Sequence, residues 1–361
     1  MKTCWTKLPA AMRLPSLAAL MVAALLAMPL RGSADGVPGI ERWTSLSIDG
    51  AYYLPNHEGY GVTDGGLAPI TYSPLEPPAG YPKGDDEGRS LGSSWGPAEI
   101  QVKLRHTIKV PLLTGAGALT AGNNAAFSIT GALTPVSARL ELGATLTPVA
   151  FLNVYAGTMI GTGWNIGLFD GLGLNADGTG IPDPRSFPGI VITPWAGGTF
   201  QFDLAALIPG EWNHVVTVLS PRLRYSWFSG AQRGQAWMWE ADEGENFNGW
   251  KLLGSYFLGY RMPLVLDTVG LLLEAERHLG YAAGLSRMAG GGWGSDFTYL
   301  TIGSVTNFAL GERSSLAILI QFQRERLYSE DSIFDAYYQT REYAGAYWDF
   351  YRVAFSYTLK L

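Results

Sequence analysis

Few residue sets in this chain have the types and spacing that catalysis or metal binding requires. Its four histidines, His57, His106, His214 and His278, stand far apart, and none sits in the His-Glu-x-x-His spacing of a helical zinc site. His278 and Ser286 come closest to a base and hydroxyl pair, but no third group in the sequence orients the imidazole. The glycines Gly157, Gly161 and Gly163 recur in one stretch that no helix follows, so they do not read as a phosphate loop. The segment from Trp237 through Met238, Trp239, Glu240, Asp242 and Glu243 to Glu245 puts two indoles beside four carboxylates. Such a set can hold a sugar or a Ca²⁺ ion, yet its spacing matches no EF-hand loop, and a solvated acidic face is the simpler reading. Asp177 and Asp183 in another loop are discounted on the same ground. These residues give no catalytic group, no metal site and no cofactor.

Other charged residues do show a pattern. Lys103 and Arg105, Arg139 and Glu141, Arg222 and Arg224, and Glu274 and Glu276 are each two residues apart, and Arg352 stands alone near the end. Two residues apart on a β-strand means the same face. Each pair falls in a stretch of alternating polarity. Residues 98–110 are the clearest, with Ala98, Ile100, Val102, Leu104, Ile108 and Val110 on one side and Glu99, Gln101, Lys103, Arg105, Thr107 and Lys109 on the other. His106 is the one polar residue on the apolar side. This alternation fits a soluble sandwich strand, and equally a membrane strand with lipid on one side and a lumen on the other.

Eleven further stretches alternate in the same way: 43–54, 125–133, 136–147, 151–161, 190–206, 214–228, 250–262, 268–281, 297–310, 314–327 and 347–361. Twelve is an even number, and no helix is convincing. The connections after strands one, five, seven, nine and eleven are long and rich in Gly, Pro and Asp, while those after four, six, eight and ten are short. Only the moderate turn around 113–124 and the tight one at Thr134-Pro135 depart from this order. Membrane barrels sort their loops by end, with short turns on one side and long loops on the other. Tyr and Trp near strand ends, among them Trp212, Tyr225, Trp227, Trp250, Tyr260 and Tyr351, suit interfacial girdles.

Lys2, Lys7 and Arg13, then an apolar run over 14–30 and a small-residue end, read as a signal peptide over residues 1–34, cleaved after Ala34. Residues 35–361 then form one domain. Cleavage removes four basic and no acidic residues, so the net charge moves from −6 to −10, and the only cysteine, Cys4, is lost. Stability in an exported chain without disulfides must come from a large core or a closed sheet. An exported acidic chain is also a poor partner for nucleic acid.

Given these strands, sorted loops, leader and aromatic closing strand, residues 43–361 resemble the bacterial outer-membrane β-barrel proteins of porin-like type. The resemblance implies an all-β, antiparallel up-and-down transmembrane barrel in the Gram-negative outer membrane, inserted into the bilayer by the barrel assembly machinery. It does not extend to the terminus, where Leu361 stands in place of the family's closing aromatic. In such a barrel Lys103, Arg105, Arg139, Glu141, Arg222, Arg224, Glu274, Glu276 and Arg352 fall at mid-height on the lumen side, six basic and three acidic. They read as a constriction for passive passage of small polar solutes, with anions preferred. One alternative is that the charges pair across a plugged interior. The chain would then be a non-conducting surface barrel whose loops 55–97 and 229–248 mediate adhesion or ligand binding.

Overall fold

The computed structural model describes residues 39–52, 68–69, 98–164, 171–174, 187–235, 237–239, 246–284, 294–328 and 343–361. Twelve long strands follow in order: β1 (Glu41–Tyr52), β2 (Ala98–Pro111), β3 (Asn124–Thr134), β4 (Ser137–Val149), β5 (Leu152–Gly163), β6 (Val191–Asp203), β7 (His214–Phe228), β8 (Gly249–Arg261), β9 (Leu266–His278), β10 (Thr298–Ala309), β11 (Ser314–Tyr328) and β12 (Tyr343–Lys360). Each pairs antiparallel with the next. β1 closes the circle, pairing Gly50 with Ile100 of β2 and with Phe355 of β12. The result is a closed twelve-stranded barrel in which no long strand is left with a free edge.

The two faces are inverted relative to a water-soluble protein. Outward positions are large and apolar, with Leu271 58% and Leu219 49% exposed, while inward Gln321, Gln101 and Thr130 are only 1–2% exposed. A core of polar side chains inside an apolar jacket is the pattern of a barrel that spans lipid. The sheet forms here because the strands place polar residues inward and apolar residues outward over most of their length, so one register satisfies all twelve. β7 runs as expected from His214 to Phe228, and the other ends shift by a few residues.

The largest local departure is at β12. Register slips between Gln321 and Phe322 of β11, a bulge that sets the extra residue in β12. Tyr351, expected on the apolar girdle face, is therefore 5% exposed and packs inside against Ala51, Ala354 and Leu319. His106 does lie on the outward face, and its Nδ1 sits 3.0 Å from the hydroxyl of Thr44, its register partner on β1. The neighbouring strand thus supplies the polar partner that the sequence leaves unseen.

At the end that holds the short turns, Thr147 Oγ1 donates to Asn153 Oδ1 at 2.6 Å beneath the β4–β5 turn. Asn123 Nδ2 donates to the carbonyls of Leu113 and Pro148 and so braces the longer β2–β3 turn. At the opposite end, residues Leu172–Leu174 and Trp237–Trp239, from the two loops flanking β6 and β7, pair as a small sheet. A five-residue helix, Gly280–Gly284, follows β9.

Candidate functional site

All nine charged residues expected in the lumen lie on inward positions of their strands, but they fall into two differently built sectors. In the first, Lys103 Nζ reaches Asp49 of β1 at 2.6 Å, and Ser356 Oγ donates to the other Asp49 oxygen. Arg105 Nε donates to Thr130 Oγ1 of β3 at 3.0 Å. Arg139 and Glu141 pair along β4 at 3.5 Å, and the register carries Lys103 through Ala132 to Arg139.

In the second sector one carboxylate serves two cations. Glu276 of β9 accepts from Arg224 of β7 at 3.4 Å and forms a tight ion pair with Lys251 of β8. Lys251 and Glu276 are each 8% exposed. Glu274, one inward step from Glu276, accepts from Gln321 Nε2 at 2.9 Å, and Gln321 Oε1 accepts from Arg352 Nε at 2.8 Å. This relay crosses β10 at Gly303, where a Cβ would stand 2.8 Å from the Gln321 side chain. Arg222, Glu274, Glu276 and Arg352 line one cavity of about 340 Å³, together with Tyr155, Tyr299 and Tyr351.

Three further members of this charged belt, Asp49, Lys251 and Gln321, did not emerge from the sequence pairs. Asp49 and Lys251 were legible as inward residues of their strands, but their partners depend on register. Along the belt the basic residues described are Lys103, Arg105, Arg139, Arg222, Arg224, Lys251 and Arg352, against Asp49, Glu141, Glu274, Glu276 and, on the same register rows of β11 and β12, Glu325 and Asp349. The formal balance among these described residues is positive by one charge.

Bulky aromatics fill part of the interior, and glycines on facing strands make the room. A Cβ on Gly157 would meet the Trp195 ring at 2.6 Å, one on Gly197 would meet Tyr155 at 2.7 Å, and one on Gly161 would meet Trp239 at 2.8 Å. Trp237, Phe228, Leu172 and Val191 form a buried apolar cluster at the long-loop end, with Met159 and Trp239 against it. Trp237 is thus a packing residue, 2% exposed and 5.6 Å from the Phe228 ring, not an open platform for a sugar. The acids at 240–245 lie outside the described residues, as do Asp177, Asp183, His57 and Ser286. His278 is buried, with its ring 5.6 Å from that of Phe247. Among the described residues no group of three or more His, Cys, Asp or Glu is placed to hold a metal ion. The sequence Gly88-Arg89-Ser90-Leu91-Gly92 spells the Gly-x-Ser-x-Gly of serine hydrolases. It lies outside the described residues.

The outer surface carries aromatics near both rims. Tyr260 Oη donates to the Trp212 carbonyl at the short-turn end, and Tyr225 meets Trp250 edge-on at 5.1 Å at the other. At the short-turn rim His214 Nδ1 lies 2.7 Å from Asp203, which also caps the 3₁₀ turn Leu204–Ala206 through the Ala205 amide.

No family model matches the chain, and no curated protein does either. Among solved structures it is similar to barrels of the bacterial outer membrane. The KdgM porin matches with 9% identity over 72% of this chain and 92% of that one, at a TM-score of 0.31. The translocator domain of the autotransporter NalP from Neisseria meningitidis matches with 11% identity over 95% and 98%, at 0.32. The outer membrane channel DcaP of Acinetobacter baumannii matches with 8% identity over 89% and 97%, at 0.30.

Proposed function

We propose that this chain is an outer-membrane channel that passes small polar solutes passively, anions ahead of cations, through a narrow charge-lined lumen. The observation that carries the reading is the cavity of about 340 Å³ set in a belt with more cations than carboxylates. Charges inside a membrane span face water or one another, and here they do both. The excess of cations lowers the barrier to a passing anion, and low-dielectric walls sharpen the effect. That volume holds on the order of ten waters, which restricts passage to small solutes. Export through the leader over residues 1–34, cut after Ala34, and insertion by the barrel assembly machinery belong to the same reading. No reaction and no cofactor are part of it.

The apolar cluster of Trp237, Phe228, Leu172 and Val191, together with Trp195 and Tyr155, supports a second reading. In it the barrel is sealed and its long loops bind partners at the cell surface. Swelling of liposomes that hold the folded protein separates the two. Heat-modifiable gel migration first establishes that the barrel is folded. The channel reading expects swelling in small anionic and neutral solutes, faster than in cationic ones of equal size. Folded protein that leaves liposomes impermeable to all three leaves only the sealed barrel.

A further inference from the structure

A second cavity, of about 420 Å³, opens on the outside of the barrel at the long-loop rim of β7 and β8. Its floor is Tyr225, Trp227 and Trp250, on outward positions directly above the exposed apolar Leu252. Its upper wall is Arg233, whose guanidinium sits 4.0 Å from the centroid of the Tyr281 ring. Among the described residues no hydrogen bond or ion pair satisfies that guanidinium and no carboxylate lines the cavity. We infer that this cleft binds a phosphate-bearing lipid, with the phosphate on Arg233 and the upper acyl chain against Trp250 and Leu252.

Three features single out such an amphiphile. The cleft is apolar below and cationic above, the order in which a membrane lipid presents chain and headgroup. Tyr and Trp at this depth belong to the interfacial belt, where their rings sit level with headgroups. The Tyr281 ring holds the guanidinium through a cation–π contact without using its donors, which stay available for phosphate oxygens. A zwitterionic headgroup supplies the same phosphate with an added cation, so a lipid of net negative charge is favoured.

The inference rests on the barrel spanning a bilayer. Native mass spectrometry of the full chain in detergent, with equimolar phosphatidylglycerol and phosphatidylcholine as probes, tests it. The wild type should retain the anionic lipid about five-fold over the zwitterionic one, the factor that one interfacial basic residue contributes. Arg233→Gln should bring that ratio close to one with heat-modifiable migration unchanged, and Trp250→Ala should lower retention of both lipids. Equal retention by the wild type, or a preference that survives Arg233→Gln, overturns the proposal. Loss of the preference in millimolar inorganic phosphate reassigns the cleft to free phosphate and overturns the lipid. A protein that stays soluble without detergent and retains neither lipid fails at the bilayer reading itself, a different result from equal retention.

Discussion

The lumen holds charge in two ways. Across β1 to β4 each charged residue finds its partner on the next strand or its own. Lys103 lies against Asp49, Arg105 against Thr130 and Arg139 against Glu141. Across β7 to β12 the contacts link strands into a network, with Glu276 shared by Arg224 and Lys251, and Gln321 spanning from Glu274 to Arg352. Lys103 is the wetted cation, its side chain 33% exposed against 10% for Lys251, while Asp49 and Arg139 are as buried as the second sector, at 10% and 8%. A buried carboxylate between two cations holds the fold only while all three are present, whereas a wetted pair has water as a substitute partner. The sector that borders the cavity is therefore also the one most sensitive to mutation.

Glu276→Leu attacks this contrast at its strongest point, because it leaves Arg224 and Lys251 facing each other in a buried site. It should cost about 3–5 kcal/mol in urea unfolding from lipid vesicles. A loss below about 1 kcal/mol would mean that water, not Glu276, solvates those cations. Gly157→Val should follow at about 1–3 kcal/mol by the same assay, as an overpacking cost. Its Cβ would meet the Leu142 carbonyl at 2.5 Å as well as the Trp195 ring, and the backbone cannot yield as a side chain can. Wild-type stability in that variant would show that Trp195 does not fill the lumen beside β5. Lys103→Met should cost about 1–3 kcal/mol, because it leaves Asp49, whose side chain is 10% exposed, with Ser356 as its remaining partner. Lys109→Ala should be smaller still, since its partner Glu41 is 63% exposed. Either lysine variant matching Glu276→Leu would erase the distinction between sectors.

Much of the barrel was legible in the sequence because a membrane strand sorts polar from apolar residues at every second position, and a local window captures that. β7 shows this best, where Ser220, Arg222, Arg224 and Ser226 alternate with Leu219, Leu223, Tyr225 and Trp227, and both ends fall where the pattern places them. Tyr351 was misplaced because the bulge adjoining Gln321 shifts parity by one, and a bulge leaves no mark in a single strand. His106 stood out as the one polar residue on the apolar side because its partner Thr44 is 62 residues away in the chain. In the belt, the i, i+2 spacing marked Arg222, Arg224, Glu274 and Glu276 as lying on one face. Lys251 has no charged neighbour at that spacing, and its role depends on the register that sets it beside Arg224 and His278. The plug was less legible still. Trp237 and Trp239 sit beside acids in sequence, and only the pairing with Leu172–Leu174 turns them inward.

The cationic excess of the belt should set which ions pass, with Arg222 and Arg352, which line the cavity, contributing most. Reversal potentials across planar bilayers under a salt gradient test this directly, comparing wild type with Arg222→Gln/Arg352→Gln and with Lys103→Met. The wild type should be anion-selective, the double variant should lose or invert that preference, and Lys103→Met should change it less. A cation-selective wild type, a folded barrel that carries no current, or a larger shift from Lys103→Met than from the double variant would contradict it.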